Sequence, residues 1–170
     1  MSGFPVAVIV LSDRAASGER DDACLPAVRA ALAGVAQLAI DDERIIGDDP
    51  AALQAALIEL CDGPPRLVLT SGGTGVAPRD RTPQATAAVL DYEVPGIAEA
   101  MRAASLSVAR GAMLSRAVAG VRNRSLIVNL PGSPKAVRET LAAIVDVLPH
   151  ALDLLGGSAT DEHPVGSHQQ

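Results

Sequence analysis

The residues best suited to chemistry lie between Thr70 and Pro83, where a glycine-rich loop is followed closely by an acid. The loop Ser71–Gly75 reads Ser-Gly-Gly-Thr-Gly and comes soon after the apolar run Leu67–Leu69. Glycines leave backbone N–H groups bare, so that phosphate oxygens can approach them closely. Asp80 adds a carboxylate beside them, which suits a phosphate only if a cation such as Mg²⁺ bridges the two. This segment therefore predicts an anion site that also takes a divalent cation.

Three other loops carry polar residues after predicted strands: Ser12-Asp13-Arg14, Gly47-Asp48-Asp49 and Asn129–Ser133. Because ligands of parallel α/β sheets bind at the carboxyl ends of the strands, we expect these loops to converge on the glycine loop. The resulting set of side chains includes carboxylates, hydroxyls and guanidinium groups but no His or Cys. It favours Mg²⁺-dependent phosphoryl or nucleotidyl transfer and disfavours a His-based triad or a zinc site.

Each segment also has a purely structural interpretation. Asp48 or Asp49 could simply cap the helix that follows. Asp13 could cap a turn, Arg14 could be a surface charge, and Ser133 is fully explained as a helix start. A glycine turn after a strand is common in any α/β protein. The convergence of all these segments at predicted strand ends is what favours a functional site.

Composition excludes several other classes of function. The chain has 170 residues, 48% of them hydrophobic, without an apolar run of membrane-spanning length. Its first apolar run lacks a preceding basic region, which predicts a strand instead of a signal peptide. Two separated cysteines, Cys24 and Cys61, do not make a disulfide framework, which is consistent with a cytoplasmic location.

Charge and aromatic content argue against nucleic-acid binding. The net charge is −6, and the only aromatic residues are Phe4 and Tyr92, so the chain has neither a basic cluster nor a stacking platform. Lys135 is the only lysine, and it lies far from the glycine loop. The loop is therefore not a Walker-type P-loop.

Alternating strand and helix signals predict a three-layer α/β/α fold with a mostly parallel central sheet. We predict strands at 5–11, within 35–46, and at 66–70, 117–121 and 125–130. We predict helices at 22–33, 50–61, 82–90 and 97–106, and from 134 onward, where Pro149 kinks or ends the last helix. Residues 12–20 are predicted to be a loop, and Thr82 to be an N-cap. Residues 1–156 are predicted to form a single domain, and 157–170 a disordered tail.

With these residues in view, the chain resembles the MogA/MoaB family of molybdenum cofactor synthesis proteins, and within it the molybdopterin adenylyltransferases. The resemblance runs from about Val6 to Leu155. It rests on several motifs in one order, namely Ser12-Asp13-Arg14, Gly47-Asp48-Asp49, Ser71–Gly75 with Arg79-Asp80-x-Thr82-Pro83, Leu114-Ser115-Arg116, and Asn129–Pro134.

The resemblance implies a homotrimer that transfers AMP from ATP to the terminal phosphate of molybdopterin and releases pyrophosphate. The family's two essential acids match Asp48 and Asp80, which would hold Mg²⁺ on the triphosphate. Two serines on the pterin side match Ser105 and Ser115. The other residues implied to contact substrate are Ser12, Asp13, Ser71, Gly72, Gly73, Thr74, Gly75, Arg79, Asn129, Pro131, Gly132 and Ser133. The product could be handed to a molybdenum insertase, and no nucleic-acid or membrane partner is implied.

The chain departs from the family pattern at two positions. The residue before the first acid is Gly47 where the family usually has Pro, which leaves the choice between Asp48 and Asp49 open, with Asp48 preferred. Ser71 stands where the family usually has Thr. Two alternatives to the transferase also stay open: a MoaB-like relative that binds or carries molybdopterin without chemistry, and a different nucleotide-handling enzyme of the competence-damage type.

Overall fold

The computed structural model describes residues 3–157, which form one six-stranded sheet flanked by helices. The strands are β1 (Phe4–Leu11), β2 (Leu38–Ile46), β3 (Leu67–Ser71), β4 (Tyr92–Glu93), β5 (Ala119–Arg122) and β6 (Ser125–Leu130). The helices are α1 (Asp13–Ala16), α2 (Cys24–Leu32), α3 (Pro50–Cys61), α4 (Thr82–Ala87), α5 (Pro95–Leu106), α6 (Pro134–Ile144) and α7 (Leu148–Gly156), with short 3-10 turns at Arg110–Leu114 and Val145–Val147.

The sheet has the strand order β2-β1-β3-β6-β5-β4. Its first four strands are parallel, so their carboxyl ends meet at one edge. The hairpin of β5 and β6 and the short β4 add an antiparallel border. The prediction of a mostly parallel sheet is therefore confirmed, and the parallel part of the sheet is the part that carries the glycine loop.

The core lies on both faces of the sheet, which gives the predicted three layers. Along β1 the side chains of Val6, Val8 and Val10 enter a core shared with α2, α5, α6 and α7. The alternate residues Ala7 and Ile9 enter a second core shared with α3 and α4. A strand that is buried on both faces has a continuous apolar sequence. For this reason β1 could be predicted from the sequence alone.

Three local predictions are wrong. Residues 12–20 are not all loop, because the Ser12 hydroxyl accepts the Ala15 N–H and starts the single helical turn α1. Thr82 is not an N-cap but the first residue of α4, after an Arg81 N-cap that makes no side-chain capping bond. The helix predicted at 97–106 starts two residues earlier, because Pro95 is the first residue of α5, where its missing N–H costs nothing.

The end of the chain also differs from the prediction. Pro149 neither kinks nor ends a helix. The α6 helix has already stopped at Ile144, and Pro149 lies in the first turn of α7, a position that tolerates proline. Gly157 follows α7 in the left-handed conformation, with φ of 73°. The rest of the predicted tail lies outside the described residues. No helix within 3–157 is both long and apolar enough to cross a membrane.

Candidate active site

The loops after β1, β2, β3 and β6 converge at the carboxyl edge of the parallel strands, as the sequence predicts. Backbone hydrogen bonds tie them together. The Ser12 N–H donates to the Ile46 carbonyl over 2.9 Å, and the Gly72 N–H donates to the Leu130 carbonyl over 3.2 Å. The edge is therefore a continuous surface built from four segments that are distant in sequence.

The loops after β1 and β2 are joined by Asp13 and Asp48. The Asp48 N–H donates to Asp13 Oδ1 over 2.8 Å, and the Asp13 N–H donates to Asp48 Oδ2 over 3.2 Å. Asp13 also forms an ion pair with Arg79, which follows the glycine loop. Asp49 has a different role, because its carboxylate accepts the Ala51 N–H over 2.9 Å and caps α3. Asp49 thus serves as a helix cap, and the choice of Asp48 as the site acid stays a prediction.

Asp48 and Asp80 are electrostatically coupled. Burial raises the pKa of the Asp48 carboxyl, and the negative charge of Asp80 raises it further. Within residues 3–157, no three His, Cys, Asp or Glu side chains are grouped as a metal site of their own. Two neighbouring acids nevertheless fit Mg²⁺, which commonly binds through one or two carboxylates while substrate phosphates supply further ligands.

The glycine loop between β3 and α4 has a backbone that only glycine accommodates at two positions. Gly72 has φ of 109° and Gly73 has φ of 64°, both in the region that disfavours side chains. A Cβ on Gly72 would lie 2.5 Å from the Leu11 carbonyl oxygen, and one on Gly73 would collide with the Thr82 hydroxyl. A Cβ on Gly75 would lie 2.8 Å from an Asp80 carboxylate oxygen. The loop therefore packs directly against the end of β1 and against the acid.

Arg116 is a site residue that the sequence analysis did not single out, although it lies in the Leu114-Ser115-Arg116 motif. Its backbone N–H donates to the Thr74 carbonyl over 2.9 Å, and its Nε donates to the Gly75 carbonyl over 2.7 Å. Its Nη2 also donates to the Asp80 carbonyl. One side chain thus fixes both ends of the loop that joins the glycines to the acid. Its partners are carbonyl oxygens, which leave no trace in a sequence pattern.

A cavity of about 390 Å³ opens beside the glycine loop, between α5, α6 and the turn at Arg110–Leu114. Thr74 and Gly75 line it on one side, and Ser105 and Ser115 line it on the other. The Ser105 hydroxyl is buried and has no hydrogen-bond partner in the part of the chain that the structure describes. A pocket of this size beside an anion loop suits a small ligand with a phosphate at one end. The structure therefore brings both predicted serines to the glycine loop.

Two predicted substrate contacts, Ser12 and Ser133, use their hydroxyls as helix caps. Ser12 Oγ accepts the Ala15 N–H over 3.2 Å, and Ser133 Oγ accepts the Ala136 N–H over 3.3 Å. Ser133 also lines the cavity together with Pro131 and Gly132. Ser12 therefore starts α1 and Ser133 starts α6, both at the edge that carries the glycine loop.

Two other predicted contacts, Ser71 and Asn129, are buried and hold the sheet edge together. Ser71 Oγ donates to the Pro131 carbonyl over 2.8 Å. The Asn129 amide nitrogen donates to the hydroxyls of Thr70 and Thr86, each over 2.9 Å, and its oxygen accepts the Val118 N–H. These hydrogen bonds fix the ends of β3 and β6 relative to each other.

Comparison with known proteins agrees with this geometry. A family described as a probable molybdopterin binding domain matches residues 7–150. The Escherichia coli K12 protein named molybdopterin adenylyltransferase is 39% identical over an alignment of 178 positions. The alignment covers 96% of this chain and 91% of that protein. The Thermus thermophilus MoaB structure, described as a molybdopterin biosynthesis enzyme, has a TM-score of 0.83 at 48% identity and covers 91% of this chain and 97% of its own.

The structure of the molybdopterin biosynthesis Mog protein from Mycobacterium ulcerans has a TM-score of 0.84 at 39% identity. It matches 92% of this chain and 99% of its own. The similarity thus includes the sheet, the glycine loop and the helices around the cavity. The chain therefore belongs to the MogA/MoaB family of molybdenum cofactor biosynthesis proteins.

Proposed function

We propose that the chain transfers AMP from ATP to the terminal phosphate of molybdopterin, giving adenylyl-molybdopterin and pyrophosphate. The observation that carries the proposal is the coupled pair Asp48 and Asp80 beside a phosphate-sized glycine loop, which opens into a mostly apolar cavity. The Escherichia coli relative is named molybdopterin adenylyltransferase, and adenylyl transfer between phosphates is served by an anion loop, acids for a metal ion and a pocket for the acceptor.

The chemistry is an in-line displacement at phosphorus. An oxygen of the molybdopterin phosphate forms a bond to the α-phosphorus of ATP, and the bond from that phosphorus to the oxygen bridging to the β-phosphate breaks. Pyrophosphate leaves with the electron pair. Because the attacking phosphate is already ionised near neutral pH, the site needs no general base. Catalysis then comes from positioning and from neutralisation of charge.

The residues divide this work between them. The backbone N–H groups of Gly73, Thr74 and Gly75 would hold phosphate oxygens, since two of these three residues have no side chain in the way. Asp48 and Asp80 would hold Mg²⁺, which neutralises charge on the triphosphate and acts as a Lewis acid. Asp13 and Arg116 would keep the two acids at a fixed separation. Ser105 and Ser115 would contact the pterin side of molybdopterin in the cavity.

Pyrophosphate release tests the proposal directly. The wild-type protein with Mg-ATP should release pyrophosphate only when molybdopterin is present. Asp80→Asn should lower the rate by about 10²-fold or more, because it removes one of two charges that stabilise the transferring group. Asp146→Asn is the matched control, since Asp146 is exposed in the turn after α6, away from the site. A wild type that binds molybdopterin but releases no pyrophosphate would instead support the carrier alternative.

We also propose a cytoplasmic homotrimer that passes its product to a molybdenum insertase. An apolar surface around the Arg110–Leu114 turn supports an interface between subunits: Leu106, Val108, Met113 and Leu114 are all exposed there. Analytical ultracentrifugation of the full chain tests this part. A single species at the monomer mass at micromolar concentration would refute it.

A further inference from the structure

The cavity beside the glycine loop contains several polar side chains, and most of them are already engaged. Thr140 Oγ1 donates to the Ala136 carbonyl over 2.8 Å, within α6. Arg102 Nη1 donates to the Ala117 carbonyl over 3.0 Å and reaches the Ser115 carbonyl at 3.4 Å. Each of these groups is thus held in place by at least one hydrogen bond within the protein.

Two further polar groups line the cavity from adjacent helices. Ser105 on α5 is only 7% exposed, and its hydroxyl has no hydrogen-bond partner among residues 3–157. Glu139 on α6 has a side chain that is 24% exposed, and it forms an ion pair with Lys135 at 3.8 Å. Lys135 itself is 76% exposed, so this surface pair stabilises little. A half-buried carboxylate and a buried hydroxyl thus face one cavity from two adjacent helices.

The chemistry of these two groups restricts the ligand. An ionised carboxylate only accepts hydrogen bonds, and its two oxygens match a pair of parallel N–H donors. Such a pair occurs on the 2-amino-4-oxopyrimidine edge of a planar heterocycle, where the ring N–H lies beside the amino group. The neighbouring walls are apolar, from Met101, Ala112 and Leu114, and suit the flat faces of such a ring.

We propose that Glu139 is a specificity-determining residue that binds the 2-amino-4-oxopyrimidine edge of the pterin, while the Ser105 hydroxyl bonds to another polar atom of the same ring. This inference rests on the proposed function for the identity of the ring, because guanine carries the same edge. It gives a ligand-binding role to Glu139 in α6, a residue that belongs to none of the motifs described above.

Binding measurements with pterin and lumazine test the assignment. Lumazine carries oxygen in place of the 2-amino group, so it lacks one of the two donors. The wild type should bind pterin at least about tenfold more tightly than lumazine, the discrimination expected of one bidentate pair. Glu139→Gln should reduce this preference to about threefold or less, because an amide offers one acceptor oxygen and not two. Guanosine carries the same hydrogen-bonding edge, so its titration in parallel shows whether the site prefers a pterin or a guanine.

Two control variants test whether a loss of pterin preference is due to the Glu139 carboxylate. Lys135→Met removes the neighbouring charge and should leave the preference for pterin intact. Glu99→Gln changes an exposed glutamate on α5 and should also leave it intact. A Glu139→Gln protein that keeps the full preference would overturn the inference. Tighter binding of guanosine than of pterin by the wild type would overturn the pterin assignment.

Pyrophosphate release with molybdopterin, measured on the same samples, separates this inference from the proposed function. If the wild type transfers AMP and Glu139→Gln keeps its preference for pterin, the function stands and the role of Glu139 fails. If the wild type transfers no AMP but loses pterin preference on Glu139→Gln, the recognition role stands and the transferase proposal fails.

Discussion

Asp13 and Asp48 hold each other reciprocally: the carboxylate of each accepts a hydrogen bond from the backbone N–H of the other, at 2.8 and 3.2 Å. The two residues end loops that follow different strands and lie 35 positions apart in the sequence. This pair of hydrogen bonds joins the two loops and fixes the orientation of the Asp48 carboxylate. A Cβ on Gly47 would lie 3.0 Å from Asp13 Oδ1. A glycine at this position therefore lets the Asp13 carboxylate approach the Asp48 N–H without a steric clash.

Replacing Asp13 should therefore affect the acid that it supports. We expect Asp13→Ala to lower the free energy of unfolding by about 1 kcal/mol and to raise the Mg²⁺ concentration needed for half-maximal pyrophosphate release, because Asp48 loses its alignment. Asp13→Asn keeps an oxygen that can accept the Asp48 N–H but loses the charge facing Arg79. It should recover most of the activity. Equal losses in both variants would mean that the ion pair with Arg79 matters and the exchange with Asp48 does not.

The stability of the protein should depend on the ionisation of Asp48. Burial and the charge of Asp80 raise the pKa of this carboxyl in the folded state, so folding favours its protonated form. The contribution that this proton makes to stability is present below the pKa of an unfolded Asp, about 3.9, and is lost as the pH rises through the folded pKa. Asp48→Asn should thus become more stable relative to wild type as the pH rises from about 4 to about 7.

Urea unfolding of both proteins across this pH range checks the prediction, with Asp146→Asn as the control. A stability difference that does not change with pH would contradict it. A second variant addresses the cause. Asp80→Asn removes one of the two influences on Asp48, and an NMR titration should then show a lower pKa for the Asp48 carboxyl. An unchanged midpoint would mean that burial alone sets its pKa.

The sequence predicted those parts of the fold that depend on continuous patterns. The β1 strand and the α3 helix follow from apolar runs and from a proline at a helix start. The edge where the loops meet follows from parallel β-α alternation. The pairing of the glycine loop with an acid was visible for the same reason, because φ angles above zero and a nearby carboxylate require particular residue types.

Other features depend on contacts that only the folded chain provides. The two-residue strand β4 is too short to form a pattern, and it exists because Tyr92 and Glu93 pair with β5. The single turn α1 depends on one serine cap. Ser71 and Asn129 were predicted to bind substrate, yet their polar atoms bind neighbouring loops. Residue type alone does not distinguish a polar group that faces a ligand from one that faces a carbonyl.

Arg116 should be a positioning residue whose loss affects the rate more than substrate affinity. We expect Arg116→Ala to lower kcat by about 10- to 100-fold with a smaller change in KM, because a small displacement of the acid and the loop misaligns the reacting groups. Amide hydrogen exchange of Gly72–Gly75 should accelerate, and added guanidinium should restore part of the rate. Arg124→Ala is the matched control, since Arg124 is exposed in the turn between β5 and β6. Lost activity with unchanged exchange would instead indicate direct contact with substrate.

Gly72 should be the least replaceable residue of the loop. Alanine there combines a φ of 109° with a Cβ that would lie 2.5 Å from the Leu11 carbonyl oxygen, which is itself fixed in the sheet. We expect Gly72→Ala to lower the free energy of unfolding by at least about 2 kcal/mol. Gly96→Ala is the matched control, since Gly96 lies in the first turn of α5 with no atom near the added carbon, and it should be neutral or stabilising by up to about 1 kcal/mol. Urea unfolding compares the two variants with wild type. Equal midpoints for Gly72→Ala and wild type would show that the loop can move away from β1, and that its backbone is not held in place by the end of that strand.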